Sequence, residues 1–257
     1  MRTLTLIGIG AGDPDYLTVQ AIAALKRTQA FFVMDKGSQK DDLVQLRRQI
    51  CARFIDHDDY RFVEIADPVR DLNIVSYPER VRRWHEQRVA LYEVTLAREL
   101  DEHGHGAILV WGDPMLYDSS LRIVEQLVAR NVLPLAYEVI PGISSMQALC
   151  ARHRITLNQI GGAVQITTGR RLLQGLPEGV HDVLVMLDGE CSFRTLAEPQ
   201  LHIYWGAYLG TPHEILIAGT LADVSARIQS VRAEAREKHG WIMDTYLLRR
   251  AQPEHES

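Results

Sequence analysis

Short apolar runs rich in β-branched residues alternate along this chain with longer stretches in which apolar positions recur every three to four residues. The first kind predicts strands over 3–9, 30–34, 62–66, 107–111 and 135–140. The second kind predicts helices over 17–26, 43–54, 79–102 and 119–129. Strand–helix alternation of this sort builds a parallel sheet covered on both faces. Past Pro141 the rhythm changes. Segments 163–168, 183–187, 201–207 and 215–220 read as strands, 221–236 as a helix, and 241–248 as a last strand, with shorter connections between them. The expectation is an α/β chain of two domains, a mostly parallel one over 1–139 and a mixed-sheet one over 140–257, with no low-complexity linker and no solenoid repeat.

Composition narrows the class. No apolar run approaches the roughly 18 residues of a membrane span, and residues 1–12 run from a strand into a glycine turn, too short for a signal peptide. The reading is a cytoplasmic protein with no membrane partner. Cys51, Cys150 and Cys191 are too scattered for a disulfide framework or a CxxC metal site, and no HExxH is present, so no metal is expected. The net charge of −5 argues against a broad nucleic-acid surface. All but four of the 28 basic residues are arginines, whose planar guanidinium suits carboxylates and phosphates.

Three loops carry candidate chemistry. Gly8-Ile9-Gly10-Ala11-Gly12-Asp13-Pro14 closes the first strand, where glycines let backbone turn sharply and approach a ligand. A dinucleotide fingerprint is the rival, but it needs glycine where Asp13 stands, and Asp13 and Asp15 would compete with a pyrophosphate for the helix N-terminus. Trp111-Gly112-Asp113-Pro114-Met115-Leu116-Tyr117-Asp118-Ser119 repeats Gly-Asp-Pro after the fourth strand, so both copies emerge at one carboxyl edge. Pro141-Gly142-Ile143-Ser144-Ser145 is a turn leading into a helix start, and Met146 replaces the glycine that a nucleophile elbow requires.

In order and separation, these three loops resemble those of the tetrapyrrole (corrin/porphyrin) methyltransferases, and the resemblance extends to Ile217-Ala218-Gly219-Thr220-Leu221. It implies the two-domain tetrapyrrole-methylase fold, S-adenosyl-L-methionine bound folded in the cleft between the domains, S-adenosyl-L-homocysteine as product, and a homodimer. This sequence departs from the family at Ala11, where proline is usual, and at Met186-Leu187-Asp188, where a Tyr-Met-Gly-like segment is usual. The segments 33–37, 42–48, 84–88 and 110–119 are similar to those members that methylate carbon 1 of ring-contracted precorrin-5 while water removes an acetyl group as acetate. Carried over position by position, the resemblance assigns cofactor contacts to Ala11, Trp111, Gly112, Asp113, Leu116, Ser144, Ser145, Leu187 and Ala207.

A precorrin is an anionic tetrapyrrole, so its cleft should present cations. The densest group is Arg70, Arg80, Arg82, Arg83 and Arg88, and Arg80, Trp84 and Arg88 share one helical face beside His85. Arg80, Trp84, His85 and Arg88 are the expected substrate contacts; pairing of these arginines with Glu79 and Glu86 on a solvated face is the plainer alternative. Attack by water on the acetyl carbonyl calls for a base at the cleft edge. Asp35 at the end of the second strand is the expected base, Asp118 the second candidate and His85 a weaker one, with Tyr117 or Lys36 donating to the carbonyl oxygen. Capping or pairing with Lys36 would equally account for Asp35, and helix capping for Asp118. Another precorrin C-methyltransferase, an RNA ribose methyltransferase of the same fold, and a non-enzymatic ligand carrier are the competing functions.

Overall fold

The computed structural model describes residues 1–35, 41–69, 76–198 and 200–250. Lys36 and Arg70 lie outside the described residues. The chain divides into two compact units, Met1–Gly10 with Pro14–Ile143, and Ala11–Asp13 with the chain from Ser144 onward. That division falls four residues past the boundary drawn at 139/140. The reason is local: the strand over 135–140 pairs along its length with the first strand, so the turn that follows it stays with the first sheet.

The first unit holds β1 (Arg2–Gly8), α1 (Val19–Arg27), β2 (Ala30–Asp35), α2 (Asp41–Phe54), β3 (Arg61–Ala66), α3 (Tyr77–Glu99), β4 (His105–Val110), α4 (Ser120–Arg130) and β5 (Leu135–Ile140). Its strands form one parallel sheet in the order β3-β2-β4-β1-β5. Both faces are covered, which is why its central strands read as unbroken apolar runs. Leu4, Leu6, Phe32, Ile108 and Val110 pack with Val89, Tyr92 and Leu96 of α3 and Ile123 and Leu127 of α4. Their sequence neighbours Ile7, Phe31, Ala107 and Leu109 pack on the other face, with Ala21 and Leu25 of α1 and Ile50 and Cys51 of α2.

Strand order fixes where a ligand belongs. The connection from β1 leads towards β2 on one side, and the connection from β4 leads past β1 to β5 on the other. β1 and β4 are therefore adjacent strands whose loops diverge, the switch point outside which open α/β sheets bind ligands.

The second unit has β6 (Val164–Thr168), β7 (Asp182–Met186), β8 (His202–Ala207), β9 (Ile215–Thr220) and β10 (Asp244–Arg249), ordered β6-β7-β10-β8-β9. Only β6 and β7 run parallel; every other pair is antiparallel. Its helices are α5 (Ser145–His153), the short α6 (Gly169–Leu172) and α7 (Leu221–His239). Val183, Val185, Ile203, Trp205 and Tyr246 bury one sheet face against Leu221, Ile228 and Ala235 of α7. The helix expected to stop at 236 runs on to His239, where Gly240 ends it in the left-handed conformation with φ 72°. The last strand accordingly starts at Asp244, not at 241. Among the described residues no helix is long and apolar enough to cross a membrane.

Candidate active site

At the switch point of the first unit the chain is reduced to backbone. Gly10 and Gly112 bridge the loops after β1 and β4 through a reciprocal pair of amide–carbonyl bonds, 3.3 and 2.8 Å. A Cβ on Gly8 would stand 2.5 Å from the Gly142 nitrogen, and one on Gly142 only 2.1 Å from the Gly112 oxygen. Gly112 takes φ 69°, open to glycine at no steric cost. Three glycines thus let the ends of β1, β4 and β5 close to within backbone contact. Asp113 fastens them: its Oδ2 accepts the Gly142 N–H at 2.9 Å and its Oδ1 accepts the Met115 N–H at 2.8 Å. The Asp113 carboxyl is accordingly spent on shaping the loop. Trp111 packs against the Ile7–Leu109 face of the core, and Leu116 is half-buried in the same loop.

Tyr117 follows with φ 55°, left-handed and 45% exposed. Partial burial raises its pKa, so the hydroxyl keeps its proton at neutral pH and can donate. Asp118 stands one residue before the N-cap Ser119 of α4, and its Oδ1 accepts the N–H of Ser120 at 2.6 Å. Its charge also faces Arg47 of α2, whose Nε donates to the Leu109 carbonyl at 3.1 Å. Burial lowers the Arg47 pKa, opposed by the charge of Asp118. Arg47 was not foreseen, because no spacing within α2 reports that the helix packs beside the end of β4. Asp35 closes β2 and is exposed at the carboxyl edge, one strand from β4, its carbonyl accepting the N–H of Asp67 at 3.0 Å.

The expected cations of α3 sort differently. Arg88 is not available to a substrate carboxylate. It is 4% exposed, its Nε and Nη2 grip Asp67 Oδ1 and Oδ2 at 2.7 and 2.5 Å, and its guanidinium lies 3.5 Å from the Trp84 ring centroid. Trp84 in turn donates its indole N–H to the Pro68 carbonyl at 2.8 Å. Arg82 and Arg83 pair with Glu79, and Arg82 also with Glu86, as the solvated-face alternative has it. His85 lies edge-on to Trp84 and lines a groove of about 580 Å³ between α3 and α4 with Arg82, Arg122 and Arg130. Arg80 is half-buried on the same helix.

In the second unit, Ala11 is buried, and its neighbour Gly12 lies against the 209–211 turn, where a Cβ would come 2.5 Å from the Leu209 oxygen. Ser144 is buried at the N-terminus of α5, and Gln147 Oε1 accepts both its N–H, at 2.8 Å, and its hydroxyl, a capping box. Ser145 is the first residue of the helix proper and half-buried. The Ala207 side chain, expected at the cofactor, is wholly buried in the core beside Trp205, so only its backbone can serve. Leu187, just beyond β7, is left-handed at φ 54° and 66% exposed.

Behind Leu187 is a buried polar group that the sequence did not announce. Asp188 accepts the hydroxyl of Tyr246 at 2.6 Å and both the N–H and hydroxyl of Ser192, at 2.6 and 2.9 Å. Arg232 of α7 pairs with Asp244 and donates to the Asp188 carbonyl at 2.9 Å. Burial, then the Asp188 charge and its hydrogen bond, push the Tyr246 pKa far up, which fixes it as a donor. Among the described residues no group of three or more His, Cys, Asp and Glu side chains could hold a metal ion.

Known proteins give this geometry a family. The model described as Tetrapyrrole (Corrin/Porphyrin) Methylases matches residues 3–225. Precorrin-6A synthase [deacetylating] of a Sinorhizobium species is 54% identical over 250 residues, 97% of this chain and 96% of that protein. The crystal structure of a cobalamin synthesis related protein (CobF) from Corynebacterium diphtheriae superposes with TM-score 0.86 at 39% identity, covering 98% of this chain and all of that one (100%). Uroporphyrin-III C-methyltransferase from Thermus thermophilus, solved complexed with S-adenyl homocysteine, shares the fold with TM-score 0.56 at 18% identity over 96% of each chain. The chain belongs to the tetrapyrrole (corrin/porphyrin) methylases, a family of S-adenosylmethionine-dependent methyltransferases.

Proposed function

We propose that this chain methylates precorrin-5 at carbon 1 and releases the ring acetyl group as acetate, giving precorrin-6A. The observation that carries the reading is the backbone-only switch point at Gly8, Gly112 and Gly142, in a chain 54% identical to a precorrin-6A synthase. Side-chain-free edges of this kind admit a ligand to main-chain hydrogen-bonding groups. In the first unit, Trp111, Gly112, Leu116 and the loop that Asp113 shapes would hold S-adenosylmethionine. In the second, Ala11, Ser145, Leu187, the turn at Ser144 and the backbone of Ala207 would do so. When bound, S-adenosylmethionine supplies an electrophilic methyl group.

Release of acetate takes one water. Its oxygen adds to the acetyl carbonyl, the carbon–carbon bond to the ring breaks, and the electron pair enters the conjugated ring towards carbon 1. Asp35 takes the proton of that water, and Tyr117 donates to the carbonyl oxygen as negative charge develops there. Asp118, whose Oδ1 accepts the Ser120 N–H and which faces Arg47, is the second candidate. Arg80, Trp84 and His85 remain the substrate contacts in this reading. The homodimer comes with the family resemblance, and sedimentation velocity tests it. Incubation with precorrin-5 and methyl-labelled S-adenosylmethionine tests the whole: the product must gain one labelled methyl, lose one acetyl group, and leave acetate in solution. A product that keeps its acetyl group would make the chain a different precorrin C-methyltransferase.

A further inference from the structure

Leu187 holds a backbone conformation that its own chemistry disfavours. A bulky side chain at φ 54° is a steric outlier, and at 66% exposure burial does not compensate it. The residue after it is fixed with unusual completeness. Asp188 is 5% exposed, and its two oxygens take hydrogen bonds from Tyr246 on β10, from the N–H and hydroxyl of Ser192, and from the N–H of Glu190. Arg232, itself 7% exposed, reaches from α7 to the carbonyls of Asp188 and Gly189, at 2.9 and 3.4 Å. Space for this has been cleared at Gly169, where a Cβ would stand 2.4 Å from Asp188 Oδ1. Strained backbone persists where its surroundings over-determine it, and such places cluster at working sites.

We propose that Asp188, backed by Tyr246 and Arg232, is a positioning residue that holds the left-handed turn at Leu187 in the shape that receives S-adenosylmethionine. The proposal rests on the reading of Leu187 as a cofactor contact. Asp188 touches no reacting atom; it acts through the backbone it fixes. Loss of one of its hydrogen bonds frees the turn to relax to an ordinary conformation, and the ligand must then order it again.

The test is calorimetric titration of S-adenosylhomocysteine into the full chain and into its Asp188→Asn and Tyr246→Phe variants. Both changes conserve size, and near-ultraviolet circular dichroism verifies the fold of each. The expected result is an affinity about tenfold weaker in either variant, with KM for S-adenosylmethionine raised in proportion and KM for the tetrapyrrole within about twofold of the parent. Variants that bind the product like the parent, or that raise KM for the tetrapyrrole as much as KM for S-adenosylmethionine, overturn the proposal. Absence of binding by the parent chain overturns the reading of Leu187 first, and the proposal with it.

Discussion

Arg88 shows what a single residue can and cannot announce. Its four-residue spacing from Trp84 predicts a shared helical face, and the guanidinium does lie over the indole ring. Its partner is another matter. Asp67 is 21 residues upstream, and nothing in the spacing says that the end of β3 brings it against α3. Breaking a buried pair leaves an uncompensated charge, so Arg88→Gln should destabilise the chain by about 3 kcal/mol. Arg82→Gln, which loses only exposed pairs with Glu79 and Glu86, should cost under about 1 kcal/mol. Urea unfolding of the two variants checks the contrast; equal midpoints would return Arg88 to the surface. Asp188 and Tyr246 illustrate the same limit, since 58 residues of sequence separate the two ends of their hydrogen bond.

At the scale of elements, the order of strands and helices was legible because both faces of the first sheet are buried, and burial writes itself as apolar runs. The closeness of the strand ends was not. Three isolated glycines say that the backbone turns, whereas only the register of β1 against β4 and β5 places Gly8, Gly112 and Gly142 in contact. Gly142→Ala would put a methyl group 2.1 Å from the Gly112 oxygen, so these strand ends must part. Loss of about 2–3 kcal/mol of stability is expected, as for other overpacked sites. Affinity for S-adenosylhomocysteine should fall with it, and calorimetry on the folded fraction separates the two effects. A second expectation concerns α5 against β8. Burial lowers the pKa of both His153 and His202 below the ordinary 6.5; Arg249 and the neighbouring histidine add to this at His202, while the Trp205 carbonyl and Glu214 oppose it at His153. Both rings also pack against Tyr204. The unfolded chain therefore binds protons at a higher pH than the folded one, and the stability these residues contribute is complete above pH 6.5 and lost as pH falls through their lowered values. Melting temperature measured between about pH 7 and pH 5 should decline, and His202→Gln should flatten the decline.

For the molecule as a whole, the proposed reaction asks two different things of one chain, a methyl site and a hydrolytic site, and in the proposed reading the carboxyl edge of the first sheet contributes to both. In the first unit the ends of β2, β4 and β1 stand side by side, so Asp35, Tyr117 and the glycine cradle occupy neighbouring positions along that edge. The family could be named from the resemblance of three loops to those of known members, and their glycines and Asp-Pro pairs mark turns in any sequence. The choice of base could not be read that way, since Asp35 and Asp118 are both acids at strand-to-helix junctions. The division of labour makes a sharp demand on Asp35→Asn. Affinity for S-adenosylhomocysteine should remain within about twofold, because the residue is assigned to the water and not to the cofactor. kcat should fall by about a hundredfold or more, the range for removal of a general base. Methylation and acetate release should fall by the same factor, because the electron pair that makes the new bond at carbon 1 comes from the bond whose cleavage frees the acetate. Turnover in oxygen-18 water must place one labelled oxygen in the acetate, since hydrolysis puts the water oxygen on the acyl carbon. Acetate without label would remove the hydrolytic step, and full activity of Asp35→Asn would move the base to Asp118.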